Sequence, residues 1–249
     1  MKNALICFLT ALVLFLSIFE SKYFSVAPSL PKEHDVRLGV LRSIVRIQNN
    51  VERRVGSGVL IRSSRVADNF YVNTVLTNQH IVGAAPQVSV EDFSYLRNKS
   101  IMATHSFNGS IYKADPKEDL ALVNFFSTTQ QTNVAPLASK YSFDNTCLTD
   151  DVTVGGCGMG FHPFLTRGLV SSFDVDKDGY FLISAPAIGG NSGGGAFNSA
   201  GQLLGIVSRI GYLQENATDI PVTHITFVKS MDKIREWLNA SGFITYKRT

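Results

Sequence analysis

Residues 189–195 have the sequence GGNSGGG, and this run directs the interpretation of the whole chain. Glycines around a single serine let the backbone turn sharply and let another backbone approach closely, because glycine has no Cβ. In such a turn the amides of Gly190 and Ser192 can point at one spot. Two converging amides form an oxyanion hole, which stabilises a tetrahedral intermediate. On this run alone, a glycine-rich loop with an uninvolved serine remains an open alternative.

Short apolar runs broken by turn residues surround this loop on both sides. Their spacing is typical of an antiparallel β-sandwich or β-barrel, and twelve strands in about 190 residues suit two small barrels in series. The candidate strands are Ile44–Gln48, Gly58–Arg62, Phe70–Thr77, Val88–Val90, Ile111–Ala114, Leu120–Phe125, Val152–Val154, Gly168–Phe173, Tyr180–Ser184, Gly194–Phe197, Leu203–Ser208 and His224–Val228.

The predicted segments follow from this pattern. Polar residues without periodicity predict a bridge between the barrels. Apolar residues at three-to-four spacing near the end of the chain predict one helix that packs on the second barrel, with Gly242 at its C-terminal cap. The expected bounds are about 37–125 for barrel one, about 126–146 for the bridge, about 147–228 for barrel two and about 229–240 for the C-terminal helix.

A histidine and an aspartate stand at strand ends in the first half of the chain. His80 follows the apolar run 70–77, and Asp119 begins the run DLALV at residues 119–123. A serine hydroxyl is a weak nucleophile until a neighbouring imidazole accepts its proton. A carboxylate on Nδ1–H holds that imidazole in one tautomer. Each residue alone is ordinary, but His80, Asp119 and Ser192 together predict nucleophilic catalysis.

Four motifs, in the same order along the chain, resemble those of the trypsin-like, chymotrypsin-fold serine proteases. They are most similar to the motifs of the HtrA/Deg branch. The four motifs are GSGVLI at 56–61, TNQHIV at 77–82, DPKEDLALV at 115–123 and GNSGGG at 190–195. The resemblance covers roughly residues 40–240. It implies an all-β fold of two perpendicular six-stranded antiparallel barrels, with the triad in the cleft between them. His80 and Asp119 would then come from the first barrel and Ser192 from the second.

The chain departs from family patterns at two points. Asn191 stands where digestive trypsins have the aspartate that receives a freed N-terminal ammonium, so we expect no activation of that kind. HtrA/Deg enzymes usually carry a PDZ domain after the protease. Seven residues follow Gly242, and we therefore expect an HtrA-like unit without a PDZ domain.

The residues expected to form the substrate pocket carry little charge. Pro186 stands six residues before Ser192, where trypsins place the aspartate that selects Lys or Arg. We therefore expect cleavage after small or medium apolar residues. Arg209 narrows the cleft, binds a substrate carboxylate, or is only a solvated residue at a strand end. The candidate pocket residues are Pro186, Ala187, Ile188, Ser208 and Arg209.

The N-terminus contains sixteen uncharged residues, Ala4 to Phe19, after a basic start. This pattern predicts a signal peptide or an uncleaved membrane anchor over residues 1–24, with a slight preference for the anchor, and a buried core helix is the weaker alternative. Residues 25–36 are then a tether, and residues 37–249 form the protease domain. Either interpretation places that domain outside the cytoplasm, on the periplasmic or extracellular side.

Composition excludes several classes of protein. The 249 residues carry a net charge of +3 from 23 basic and 20 acidic residues, which is too balanced to indicate nucleic-acid binding. Three cysteines exclude a disulfide-stapled scaffold, and we expect Cys147 and Cys157 to be unpaired. The spacing of the remaining histidines predicts no metal site, and the mechanism implies no cofactor.

The sequence therefore predicts a serine endopeptidase that acts on proteins or peptides through an acyl-enzyme. Two alternatives remain open. One is a catalytically silent module that binds peptides or proteins in the same cleft. The other is an esterase on small acyl substrates, which would share the nucleophile and the oxyanion hole. The oligomeric state is left open, and membrane contact depends on whether the N-terminal helix is cleaved.

Overall fold

Two closed antiparallel barrels of six strands each make up the fold. The computed structural model describes residues 33–96, 101–173, 177–215 and 218–243. The strands are β1 (Ile44–Asn49), β2 (Arg54–Ala67), β3 (Phe70–Thr77), β4 (Gln87–Tyr95), β5 (Ile101–Asp115), β6 (Leu120–Ser127), β7 (Asp151–Gly156), β8 (Phe164–Ser172), β9 (Tyr180–Ile183), β10 (Gly195–Phe197), β11 (Leu203–Glu215) and β12 (Thr218–Ser230). The strand orders are β1-β2-β3-β6-β5-β4 and β10-β11-β12-β9-β8-β7. The predicted fold class is confirmed.

Helices are few in the described residues. They are α1 (Glu33–Arg42), α2 (Gln79–Val82), α3 (Lys140–Asp144) and α4 (Met231–Ala240). The predicted C-terminal helix is confirmed as α4. Its apolar stripe is buried, Ser230 caps its N-terminus by accepting from the Lys233 amide, and Gly242 follows its C-cap with a φ of 69°. This positive φ is the left-handed conformation that glycine adopts most readily at such an end.

Several strands are longer than the apolar pattern predicts. The predicted run 203–208 is only the inner part of β11, which pairs with β12 as far as Glu215 opposite Thr218. Residues 212–215 of β11 are exposed. Hydrophobic periodicity reports burial, and the outer ends of these strands extend past the barrel into solvent. The sequence therefore marks the buried halves of the strands and misses their exposed continuations.

Three clusters of buried hydrophobic residues form the core of the two barrels. One lies within barrel one around Phe125, and one lies within barrel two around Phe181. The third joins the two halves, since it combines Leu122 of β6 with Leu203 of β11 and Trp237 of α4. Because this shared cluster packs buried residues of both halves together, it sets how the two barrels lie against each other.

Two of the predicted segments look different in the structure. The bridge, predicted without regular structure, contains the short helix α3, which Ser139 caps by accepting from the Ser142 amide. Residues 33–36, assigned to the tether, begin helix α1. The apolar run 4–19 and the predicted N-terminal helix lie outside the described residues. No helix in the described part of the chain is long and apolar enough to cross a membrane.

The thiols behave as the sequence predicts. Cys147 is exposed and Cys157 is buried, and neither forms a disulfide. Burial raises the pKa of the Cys157 thiol to about 12. Cys157 is therefore protonated at neutral pH and acts as a small apolar residue.

The shared cluster predicts a large cost for truncating Leu203, which has no exposed surface. Leu203→Ala should lower the free energy of unfolding by about 2–5 kcal/mol, because the methyl groups leave a cavity between the barrels. The matched control is Leu213→Ala on the same strand, where the side chain is 57% exposed. We expect the control to change stability by no more than about 0.5 kcal/mol. Equal effects in urea unfolding would contradict the assignment of Leu203 to the core.

Candidate active site

His80 lies on the short helix α2, which follows β3 directly. Its Nδ1 is 2.9 Å from Asp119 Oδ1 and 3.0 Å from Oδ2. Its backbone amide also donates to Asp119 Oδ1, at 3.0 Å, and the Arg54 guanidinium donates to its backbone carbonyl. With a carboxylate at Nδ1, that nitrogen carries the proton, which leaves Nε2 free to accept one. The half-exposed ring therefore presents a base to the cleft.

Asp119 occupies the turn between β5 and β6 with a φ of 53°, which is unusual for a residue other than glycine. The side-chain amide of Asn78 donates to its backbone carbonyl at 2.9 Å. The Ser208 hydroxyl donates to its Oδ2 at 2.7 Å. Burial raises the pKa of this carboxyl, but the hydrogen bonds and charge of His80 and the Ser208 bond outweigh burial and hold the pKa below its usual value. Asp119 is therefore ionised at neutral pH.

Ser192 stands in a tight turn just before β10. Gly190 and Gly193 on either side have φ values of 96° and 85°. A Cβ on Gly193 would come within 2.0 Å of the Ser57 carbonyl oxygen, so the glycine is required by space as well as by conformation. The Ser192 hydroxyl donates to the Ser208 carbonyl at 3.0 Å.

Ser208, the last residue of the buried inner part of β11, links the three predicted triad residues. Its carbonyl accepts from Ser192, and its hydroxyl binds Asp119. The structure thus brings His80 and Asp119 into direct contact. Ser192 is connected to Asp119 through its hydrogen bond to Ser208. Among the described residues, no hydrogen bond joins the Ser192 hydroxyl to the His80 ring.

The backbone before Ser192 is fixed by bonds from outside the loop. The Gly189 carbonyl accepts from the Met159 amide at 2.6 Å. In a trans peptide the C=O and N–H point in opposite directions, so the Gly190 amide points away from Met159. The Ser57 hydroxyl donates to the Gly190 carbonyl at 2.7 Å and accepts from the Cys157 amide at 2.7 Å. The peptides on both sides of Gly190 are therefore oriented.

The five predicted pocket residues separate into two groups. Ser208 and Arg209 line a pocket of about 420 Å³ that also contains His80, Asp119 and Tyr180. The Arg209 guanidinium lies 4.6 Å from the Tyr180 ring centroid and 4.7 Å from that of Phe227.

The other three pocket residues belong to the segment that leads to Ser192. Pro186 is exposed, Ala187 is buried and Ile188 is half-buried. The Ala187 amide donates to the Thr223 carbonyl at 2.8 Å, and the Pro186 carbonyl accepts from Thr166 at 2.7 Å. The structure thus anchors this segment to the strands on both sides of it.

Sequence reasoning missed two contributors to this site. Ser57 lies in the quoted motif at residues 56–61, but nothing in the motif shows that its hydroxyl bridges two loops. Ser208 was assigned to the pocket wall, and its bond to the Asp119 carboxylate depends on a pairing of distant strands. Both contacts join residues about 90 or more positions apart, so no local pattern reports them.

Residues 56–206 match the family model for the trypsin-like peptidase domain. The chain belongs to this family. The match includes the segments that carry His80, Asp119 and Ser192, and the predicted resemblance is confirmed.

Relatives named serine protease HtrA-like share modest identity with the chain. The protein from Staphylococcus epidermidis is 29% identical over 81% of this chain and 34% of its own length. The one from Staphylococcus haemolyticus is 29% identical over 84% of this chain and 32% of its own length. The chain thus spans about a third of the length of these curated relatives. The crystal structure of the serine endoprotease from Yersinia pestis has a TM-score of 0.61 at 20% identity, over 86% of this chain and 67% of that one, which shows a shared fold.

The lowered pKa of Asp119 predicts a pH-dependent contribution to stability. A carboxyl with a depressed folded-state pKa stabilises the protein above its unfolded pKa, and this contribution is lost as pH falls through the folded value. Wild type should therefore lose stability relative to Asp119→Asn on acidification from about pH 7 to about pH 3 in urea unfolding. Asp68→Asn is the control, since Asp68 is 95% exposed. A difference between wild type and Asp119→Asn that stays constant with pH would contradict the assignment.

Proposed function

We propose that the protein is a serine endopeptidase in which Ser192 is the nucleophile, His80 the general base and then acid, and Asp119 the residue that orients His80. The observation that carries this proposal is the His80 Nδ1–Asp119 contact at 2.9 Å beside a glycine-flanked serine. The family of the chain and the names of its relatives support the same reaction class.

The reaction begins with a small rotation of the nucleophile. The Ser192 hydroxyl turns about its Cα–Cβ bond from the Ser208 carbonyl towards His80 Nε2, since catalytic hydrogen bonds often tighten only when substrate is bound. Nε2 takes the hydroxyl proton as Oγ attacks the substrate carbonyl. The proton then passes to the leaving amine, and an acyl-enzyme remains. Water repeats the same steps and frees Ser192.

The amides of Gly190 and Ser192 are proposed to bind the oxyanion. The Met159 bond to the Gly189 carbonyl and the Ser57 bond to the Gly190 carbonyl hold this backbone in place. Within the described residues, neither amide donates to an acceptor in the protein. Donors that are fixed beforehand stabilise developing negative charge without reorganising during the reaction.

Cleavage is proposed to follow small or medium apolar residues. The segment 184–188 carries no charge, so nothing in it would select Lys or Arg. Arg209 lies between two aromatic rings at the edge of the pocket beside His80. This position beside the pocket suits contact with a bound substrate.

The domain is proposed to act on proteins or peptides outside the cytoplasm. The uncharged run 4–19 supports export or membrane anchoring. The proposed chemistry draws on side chains and backbone amides alone and calls for no cofactor.

A catalytically silent binding module is the second candidate. The observation in its favour is the Ser192 hydroxyl, which donates to Ser208 and not to His80. In this case the cleft would hold a peptide without turnover.

A fluorophosphonate probe distinguishes the two candidates, because it reacts only with an activated serine. The full-length protein should be labelled at neutral pH, and Ser192→Ala should abolish labelling. Ser199→Ala, in an exposed turn, is the control and should leave labelling unchanged. Ser192→Ala should also lower kcat on a peptide library by about 10⁶-fold, and wild type should cut after small apolar residues. Peptide binding by a wild type that is never labelled would support the binding module instead.

A further inference from the structure

A buried lysine of the second barrel reaches the turn that carries Asp119. Lys229 lies near the end of β12, and its side chain is 1% exposed. Its Nζ is 3.0 Å from Glu118 Oε2 of the first barrel. It also donates to the Asp178 carbonyl at 2.8 Å and lies 4.7 Å from the Tyr180 ring centroid. Glu118 directly precedes Asp119 in the chain.

Burial makes this ion pair a strong positional constraint. A buried ammonium without a counter-charge costs several kcal/mol. The carbonyl and the aromatic ring compensate part of that cost, and the Glu118 carboxylate neutralises the charge. Because Lys229 is fixed within a barrel strand, Glu118 is held at one place, and the peptide that joins it to Asp119 is held with it.

The turn needs such a constraint. A left-handed conformation such as that of Asp119 costs roughly 1–2 kcal/mol in residues other than glycine. A second bond from the far half of the chain acts on the same turn, since Trp237 Nε1 of α4 donates to Asp115 Oδ2 at 3.1 Å. The other oxygen of Asp115 accepts from the Lys117 and Glu118 amides at 3.0 and 3.2 Å. Two residues of the second half of the chain thus hold this turn, Trp237 through Asp115 at its start and Lys229 through Glu118 at its end.

We propose that Lys229 is a positioning residue for the His80–Asp119 pair. It does not contact the reacting atoms. It acts through Glu118, which fixes the backbone of Asp119 and therefore the direction from which the carboxylate meets His80 Nδ1. The expected effect on rate rests on the proposed protease function. The position of the Asp119 carboxylate can also be followed by NMR, which needs no enzymatic activity.

Kinetics of the full-length protein test the effect on rate. Lys229→Met should lower kcat by about 10- to 100-fold, since small misplacements of catalytic groups have effects of this size, and should leave KM within a factor of about two. Lys140→Met removes an exposed lysine that pairs with Asp144 and is the matched control. It should leave both constants unchanged.

A double variant separates positioning from simple stabilisation. Lys229→Met leaves Glu118 unpaired, and adding Glu118→Gln removes that charge, so the double variant should regain most of the lost thermal stability. Its kcat should stay low, because the ion pair that holds Glu118 and the turn carrying Asp119 is still missing. If kcat recovers together with stability, Lys229 has only a structural role and the proposal is wrong. If Lys229→Met does not fold, the double variant is compared with wild type directly, since it leaves neither charge unpaired, and a wild-type kcat in it would overturn the proposal.

Proton NMR in the Ser192→Ala background tests the geometry directly. The His80 Nδ1 proton, bonded to a carboxylate, should give a resolved low-field signal that weakens or disappears on Lys229→Met and persists on Lys140→Met. An unchanged signal would overturn the proposal. A signal that is lost in a protein whose wild type hydrolyses no peptide would retain the positioning role and reject the protease function.

Discussion

The carboxylate of Asp119 is the point on which the whole site depends. It accepts from the His80 ring, the His80 backbone amide and the Ser208 hydroxyl. Two of these donors belong to the first barrel and one to the second, so a single, partly buried carboxylate joins both halves of the molecule. If this charge is lost or displaced, the His80 ring loses the acceptor that fixes its tautomer, and Ser208 of β11 loses its hydrogen bond to the first barrel.

The fold provides the rigidity that this arrangement needs. The shared hydrophobic cluster fixes the barrels against each other, and Ser57 ties the first barrel to the loop that carries Ser192. A side chain on Gly193 would collide with the Ser57 carbonyl oxygen, so the glycine run is a packing requirement as much as a turn signal. The Met159 amide and the Ser57 hydroxyl orient the peptides that precede Ser192.

Much of this could be predicted from the sequence, for physical reasons that differ between residues. The inner strands are apolar because they are buried, so hydrophobic runs reveal them. Asp119 and His80 lie at the ends of such runs and Ser192 lies in a glycine loop, so each has a local signal. Ser208 and Lys229 have none, because their roles come from residues brought near by barrel closure. The predicted C-terminal helix, about 229–240, includes Lys229, and only the structure places this residue near the end of β12 with its charge paired inside.

The hydrogen-bond partner of the Ser192 hydroxyl also could not be predicted from the sequence. Its bond to the Ser208 carbonyl connects it through one residue to the Asp119 carboxylate, and in the proposed mechanism a rotation brings it to His80 Nε2. Strand β11 therefore contacts both groups through Ser208, which binds the proposed nucleophile Ser192 and the carboxylate proposed to orient His80.

The central claim is that the Asp119 carboxylate makes His80 an effective base for Ser192. Its most direct test is the rate of peptide hydrolysis by Asp119→Asn in protein shown by circular dichroism to be folded. We expect kcat to fall by about 10⁴-fold at neutral pH, because an amide at this position favours the wrong imidazole tautomer. A folded Asp119→Asn variant that keeps more than about a tenth of the wild-type kcat would contradict the account.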